Sequence, residues 1–139
     1  MKVQMSDDSK KFVRGILSDC ATAAAIKNDK SFMKYAQKLS DKFTENATII
    51  DLKYKDFYAI QQVIDSATGF INNTITNLNN QEIDSDETKI AVEFKLNALN
   101  TNLDNATVAA DEFKEFGDMF VEDGKKRADV VSAKLLSEE

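Results

Sequence analysis

The chain has 139 residues, 42% of them hydrophobic and 30% charged, with a formal net charge of −6. That length and balance fit one folded domain over residues 1–139 with a real core, and exclude a fully disordered chain. Proline and histidine are absent and there are four glycines and one cysteine. Breakers of helices and makers of tight turns are so scarce that the expected fold class is all-α, with few and long helices.

In chain order, Ser6, Asp7 and Asp8 offer caps and negative charge for a first helix near residues 9–27. Phe12, Ile16 and Ala23 fall on one face of it, with Val13, Leu17, Cys20 and Ala24 alongside. Asn28 and Asp29 end this helix and cap a second, near residues 30–46, whose apolar stripe is Phe32, Ala36, Leu39 and Phe43. Ala47 to Ile50 is apolar and β-branched, which reads as a packed connector. With Asp51 as its expected cap, a third helix near residues 52–79 carries Phe57, Ile60, Ile64, Ala67, Ile71, Thr74 and Leu78 at seam spacing. Val63 and Phe70 widen that stripe, as in a helix buried against more than one neighbour.

The longest pattern follows. From residue 86 to 123, small or apolar residues fall at Val92, Leu96, Leu99, Leu103, Ala106, Ala110, Phe113, Gly117 and Phe120. The steps alternate four and three, the spacing of a helical seam. The third helix and this one read as an antiparallel hairpin, so the expected architecture is a bundle of four to five helices built around it. A helix over residues 86–123 spans roughly 57 Å, longer than a compact domain of this size. Either it breaks, with Gly117 the expected place, or the molecule is elongated and the seam available to a second chain. Past Gly124 the chain turns basic at Lys125, Lys126 and Arg127, and a separate short helix is expected over residues 127–136.

Chemistry is constrained mostly by absence. Without histidine there is no Ser-His or Cys-His arrangement and no Glu-x-x-His metal pair, and four scattered glycines write no phosphate loop. Cys20 beside Ala21 reads as a small buried hydrophobe. Glu82, Asp84, Asp86 and Glu93 are spaced loosely like a calcium loop, but Glu87 stands where a glycine is required, so a capped helix start is the reading. No catalytic residue, metal or cofactor is expected, and the protein is read as a non-enzyme.

Charge is local. Residues 84–123 hold eleven acids and three lysines, whereas the other thirteen acids and fifteen bases leave the rest slightly positive. Asp104, Asp111, Glu115, Asp118 and Glu122 line the face opposite the seam over roughly 27 Å. Such a ridge repels nucleic acid and attracts a basic protein surface. Direct nucleic-acid binding is further disfavoured by three clustered bases, two arginines and no aromatic–basic interleaving. Nine of eleven asparagines lie between Asn72 and Asn105, around the hairpin end.

The reading is a helical adaptor or inhibitor that binds another protein through the acidic ridge. The alternative is a self-associating structural protein or assembly chaperone, dimeric through the seam residues Val92, Leu96, Leu99, Leu103, Phe113 and Phe120. A polar opening, no run of about 18–20 apolar residues and a lone cysteine place it in the cytoplasm of a bacterial or host cell, away from membranes. Sixteen lysines to two arginines, with frequent asparagine, match an AT-rich genome of phage or mobile-element type.

Overall fold

The computed structural model describes residues 2–137 and is an all-α helical bundle. Its elements are β1 (Lys2–Val3), α1 (Asp7–Ile26), α2 (Lys30–Lys42), β2 (Ile50–Asp51), α3 (Tyr54–Asn79) and α4 (Asp86–Ser137).

Capping chemistry sets most of the helix starts. The Ser6 hydroxyl accepts from the Ser9 N–H at 3.3 Å, Asp29 from the Phe32 N–H at 3.1 Å and Ser85 from the Thr88 N–H at 3.1 Å. Asn28 takes a left-handed φ of 60°, which reverses the chain between α1 and α2. The start of α3 differs from expectation: Asp51 lies in β2, and the cap position is Lys53. Lysine carries no acceptor, so Asp56 supplies the cap from inside the helix by accepting the Lys53 N–H at 3.2 Å.

The second helix stops at Lys42 rather than near residue 46. Two packed side chains decide this. Phe43 is fully buried just past the helix end, and the Lys10 ammonium reaches from α1 to the carbonyls of Glu45 and Ala47 at 3.3 and 3.0 Å. Those carbonyls are thereby satisfied outside a helix. The connector continues into β2, which pairs antiparallel with β1, Val3 opposite Ile50. Ile50 is buried and Ile49 exposed, the alternation of a strand.

α2 lies along α1, where the Ser40 hydroxyl donates to the Arg14 carbonyl at 3.3 Å. α1 runs antiparallel to α4: the Ser6 N–H donates to Glu112 at 3.3 Å, while Ile16 and Asp19 face Leu99 and Asn102. The core cluster joins Val3, Val13, Leu17, Leu39, Ile50, Ile60 and Phe113, drawing on every element, with Phe43 and Leu52 from the connectors.

The long helix does not break. α4 is one helix of 52 residues, and the separate helix expected over residues 127–136 is its continuation. An interior glycine costs only about 1 kcal/mol relative to alanine, and no proline interrupts the run. Gly117 instead makes room. A Cβ built there would lie 3.0 Å from Cζ of Phe57, whose ring packs 5.7 Å from Phe113 and 5.1 Å from Phe120. Gly117→Leu is therefore expected to destabilise by about 1–3 kcal/mol through overpacking. Gly69→Ala, at an exposed site on α3 with open space around it, should stabilise by about 1 kcal/mol. Urea unfolding of the two variants checks the pair; a Gly117→Leu protein as stable as the parent, or more so, would sink the assignment of Gly117 as a packing site.

At 1.5 Å per residue α4 spans roughly 78 Å and α3 roughly 39 Å. The shorter helix begins where Tyr54 meets Phe120, ring centroids 6.2 Å apart. Beyond that level α4 projects alone. The accessible surface is 9819 Å², against about 7,200 Å² for a compact monomer of this mass. Elongation, not a kink, answers the length problem.

Candidate functional site

The polar constellations inside the bundle hold it together. Asp56, 5% exposed, accepts from the Tyr35 hydroxyl at 2.8 Å, the Lys53 N–H and the Lys42 ammonium at 3.4 Å. Lys42 also donates to the Asp51 carbonyl at 3.1 Å, and the Lys55 ammonium sits 4.9 Å over the Tyr35 ring. Burial pushes the Asp56 carboxyl up, but its hydrogen bonds and the Lys42 charge outweigh this and hold it below the ordinary carboxylate range. Burial and then the Asp56 hydrogen bond push Tyr35 up to about 12. Both groups are thus fixed in their neutral-pH forms, tying α2 to the start of α3.

Cys20 is half-buried, and burial followed by the charge of Asp19 raises its pKa. A thiol held protonated is a poor nucleophile. At the loosely calcium-like segment, Asp84 accepts from the Thr88 hydroxyl at 3.2 Å and Glu93 already lies within α4. Among the described residues no cluster of three or more cysteines and carboxylates is placed to hold a metal ion, and no helix is long and apolar enough to cross a membrane.

The surfaces are more distinctive. Asp104, Asp111, Glu115, Asp118 and Glu122 are all exposed along one face of α4. Because the helix is continuous, they form one straight row over roughly 27 Å. Among the described residues these five carboxylates form no ion pair and no side-chain hydrogen bond. Glu112, which the ridge leaves out, is the acid that turns inward to α1.

The seam residues lie on the opposite side, against the rest of the chain. Val92, Ala106 and Phe113 are buried, and Leu96, Leu99, Leu103, Ala110, Gly117 and Phe120 half-buried. Ala109 and Phe116 are buried as well, because α1 joins α3 against this part of α4 and widens the covered face. Over residues 92–120 the seam is therefore internal core of one chain.

Among the described residues apolar surface stays uncovered in several places. The first is the projecting arm of α4, residues 121–137, where Val121, Gly124, Ala128, Val131 and Leu135 form one exposed stripe. A heptad seam drifts about 20° per repeat around a straight helix. The four-residue step from Gly124 to Ala128 undoes that drift and keeps the stripe on the face that α3 covers higher up. Lys125 flanks it on one side, Arg127 and Lys134 on the other. The second surface is a groove between α1 and α3 of about 660 Å³, walled by Ile16, Cys20, Ala23, Val63, Ala67 and Phe70. Phe70 is 70% exposed there, contrary to a helix buried on two sides. The hairpin end adds exposed Ile83, Ile90 and Phe94.

Sequence patterning located the ridge and the seam but missed the arm and the groove. The arm was legible in principle, from the absence of proline after residue 117 and the apolar spacing to Leu135. The groove depends on α1 and α3 diverging, for which no local pattern exists. No family of known proteins, curated sequence or solved structure matches the chain.

Proposed function

We propose that the protein is a non-enzymatic helical adaptor or inhibitor that binds a basic surface on another protein through the acidic face of α4. One observation carries this reading: five exposed carboxylates in a straight row on one helix, none engaged by a cation among the described residues. Acids placed only for solubility need no such alignment, whereas a basic helix or groove laid along α4 meets all five. The field of such a row speeds encounter and weakens with salt. A phage or mobile-element origin accords with the lysine-rich, arginine-poor composition, and a cytoplasmic setting with the single cysteine.

The test reverses the ridge. Asp111→Lys, Glu115→Lys and Asp118→Lys in one chain should abolish salt-sensitive capture of a partner from lysate while leaving helicity and molecular mass unchanged. Capture of the same partner at the same salt by the reversed protein would reduce the ridge to a solvated face.

Self-association is the second reading, favoured by the uncovered arm. The seam over residues 92–120 serves it poorly, since those side chains already pack within the chain. Leu103→Asp should consequently lower stability rather than dissociate an oligomer.

A further inference from the structure

Of the apolar surfaces left open among the described residues, the arm and the groove match in length. The arm stripe runs from Val121 to Leu135, roughly 21 Å along α4. The groove between α1 and α3 adjoins a second cavity, with which it shares Ile16, Asp19, Ala67 and Phe70 and which Leu99, Asn102 and Asn105 of α4 help to wall; together they follow α1 from Asp8 to Ala23, roughly 22 Å. Gly124 and Ala128 leave the stripe shallow, so a helix surface can approach it closely, while Phe70 and Ile16 supply the protruding counterpart.

Charge points the same way. The stripe is flanked most closely by Lys125 and Arg127, with Lys134 further round and Glu122, Asp123 and Asp129 towards the far side of the helix. Asp8 and Asp19 line the groove against one base, Lys11. Two arms laid antiparallel, stripe to stripe, bring like charges together, whereas an arm in a groove brings opposite ones together. A broad membrane-binding face is a poorer fit: the stripe is narrow, the arm contains no aromatic residue, and Glu122, Asp123 and Asp129 interrupt its basic character.

The arm cannot reach its own groove, because α4 continues unbroken through Gly124 and carries residues 121–137 away from the bundle. The surface exceeds that of a compact monomer by about 2,600 Å², well above the roughly 800 Å² each partner gives to a standard interface. We infer that the α4 arm of one copy docks in the α1–α3 groove of a second copy. Exchanged reciprocally, the contact closes a two-fold dimer.

Cys20 in the groove wall gives a direct test, since no other native thiol competes. Ala128→Cys, Val131→Cys and Leu135→Cys, made singly at exposed positions, are each treated with diamide at about 0.2 mM protein. A helical turn of such positions brings at least one within the narrow Cα range a disulfide requires. The expected result is a dimer band for at least one variant, lost in the Cys20→Ser background, with peptide mapping joining the introduced thiol to Cys20. Circular dichroism confirms that each variant is folded. Light scattering on the unmodified protein should give twice the chain mass, and Leu135→Asp or Phe70→Asp should return it to 15.5 kDa.

A cross-link that survives Cys20→Ser would mean that arms pair with arms, and overturns the inference. So does a single-chain mass at that concentration with no cross-link at any of the three positions. Neither result touches the ridge, and reversal of the ridge charges leaves the dimer mass unchanged, so the two proposals fail separately.

Discussion

Phe113→Ala is expected to lower the unfolding free energy by about 3–5 kcal/mol, the cost of deleting a buried aromatic ring and leaving part of its volume empty. Phe113 is 1% exposed and sits where three helices converge. Its ring stacks on Phe57 of α3 at 5.7 Å and meets Phe116 edge-on at 5.6 Å. Collapse into the cavity is restricted, because Phe57 is held between Phe113 and Phe120 and bears on Gly117. Urea unfolding measures the loss. Phe94→Ala supplies the contrast: Phe94 lies on the same helix but is 77% exposed, so its removal should stay within about 0.5 kcal/mol. Comparable losses at the two positions would mean that the aromatic cluster is not the junction of the fold.

Asp56→Ala is expected to destabilise by about 2–3 kcal/mol, since one carboxylate serves the Tyr35 hydroxyl, the Lys53 N–H and the Lys42 ammonium. The loss stays below that of stranding a fully buried charge because the Lys42 side chain is 32% exposed and can turn to water. The same network sets a pH signature. The carboxyl of Asp56 titrates below its ordinary 3.8 in the folded protein. Its stabilisation is therefore present above that value and lost as pH falls through the depressed folded one. Tyr35 is the opposite case, raised from 10.0 to about 12, so its contribution is complete below pH 10 and lost as pH rises towards 12. Stability measured against pH should fall at both ends. Asp56→Ala should flatten the acid limb below pH 4, and Tyr35→Phe the alkaline limb above pH 10. An alkaline limb unchanged in Tyr35→Phe would remove this tyrosine from the account.

The sequence by itself determined the helical class, four helix locations and the direction in which the long helix faces. These follow from local physics: caps such as Ser6 and Asp29 act within one turn, and the seam from Val92 to Phe120 repeats along a single element. Ridge and seam fall on opposite sides because spacing along a helix fixes relative angle.

Tertiary structure decided what spacing cannot. Gly117 resembles a break when only propensity is considered, and becomes a seat for Phe57 once α3 is present. Lys10, which carries no helical signal as a core residue, is 5% exposed because two carbonyls of a distant connector need a donor. Phe70, whose spacing beside Ile71 and Val63 reads as a widened core stripe, is 70% exposed and lines an open groove instead. The arm is the plainest instance. Its stripe is of the same kind as the seam, and only the length of α3, which starts level with Phe120, leaves it bare. Whether an apolar face is core or interface depends on what packs against it, and that is a property of the whole chain rather than of the segment.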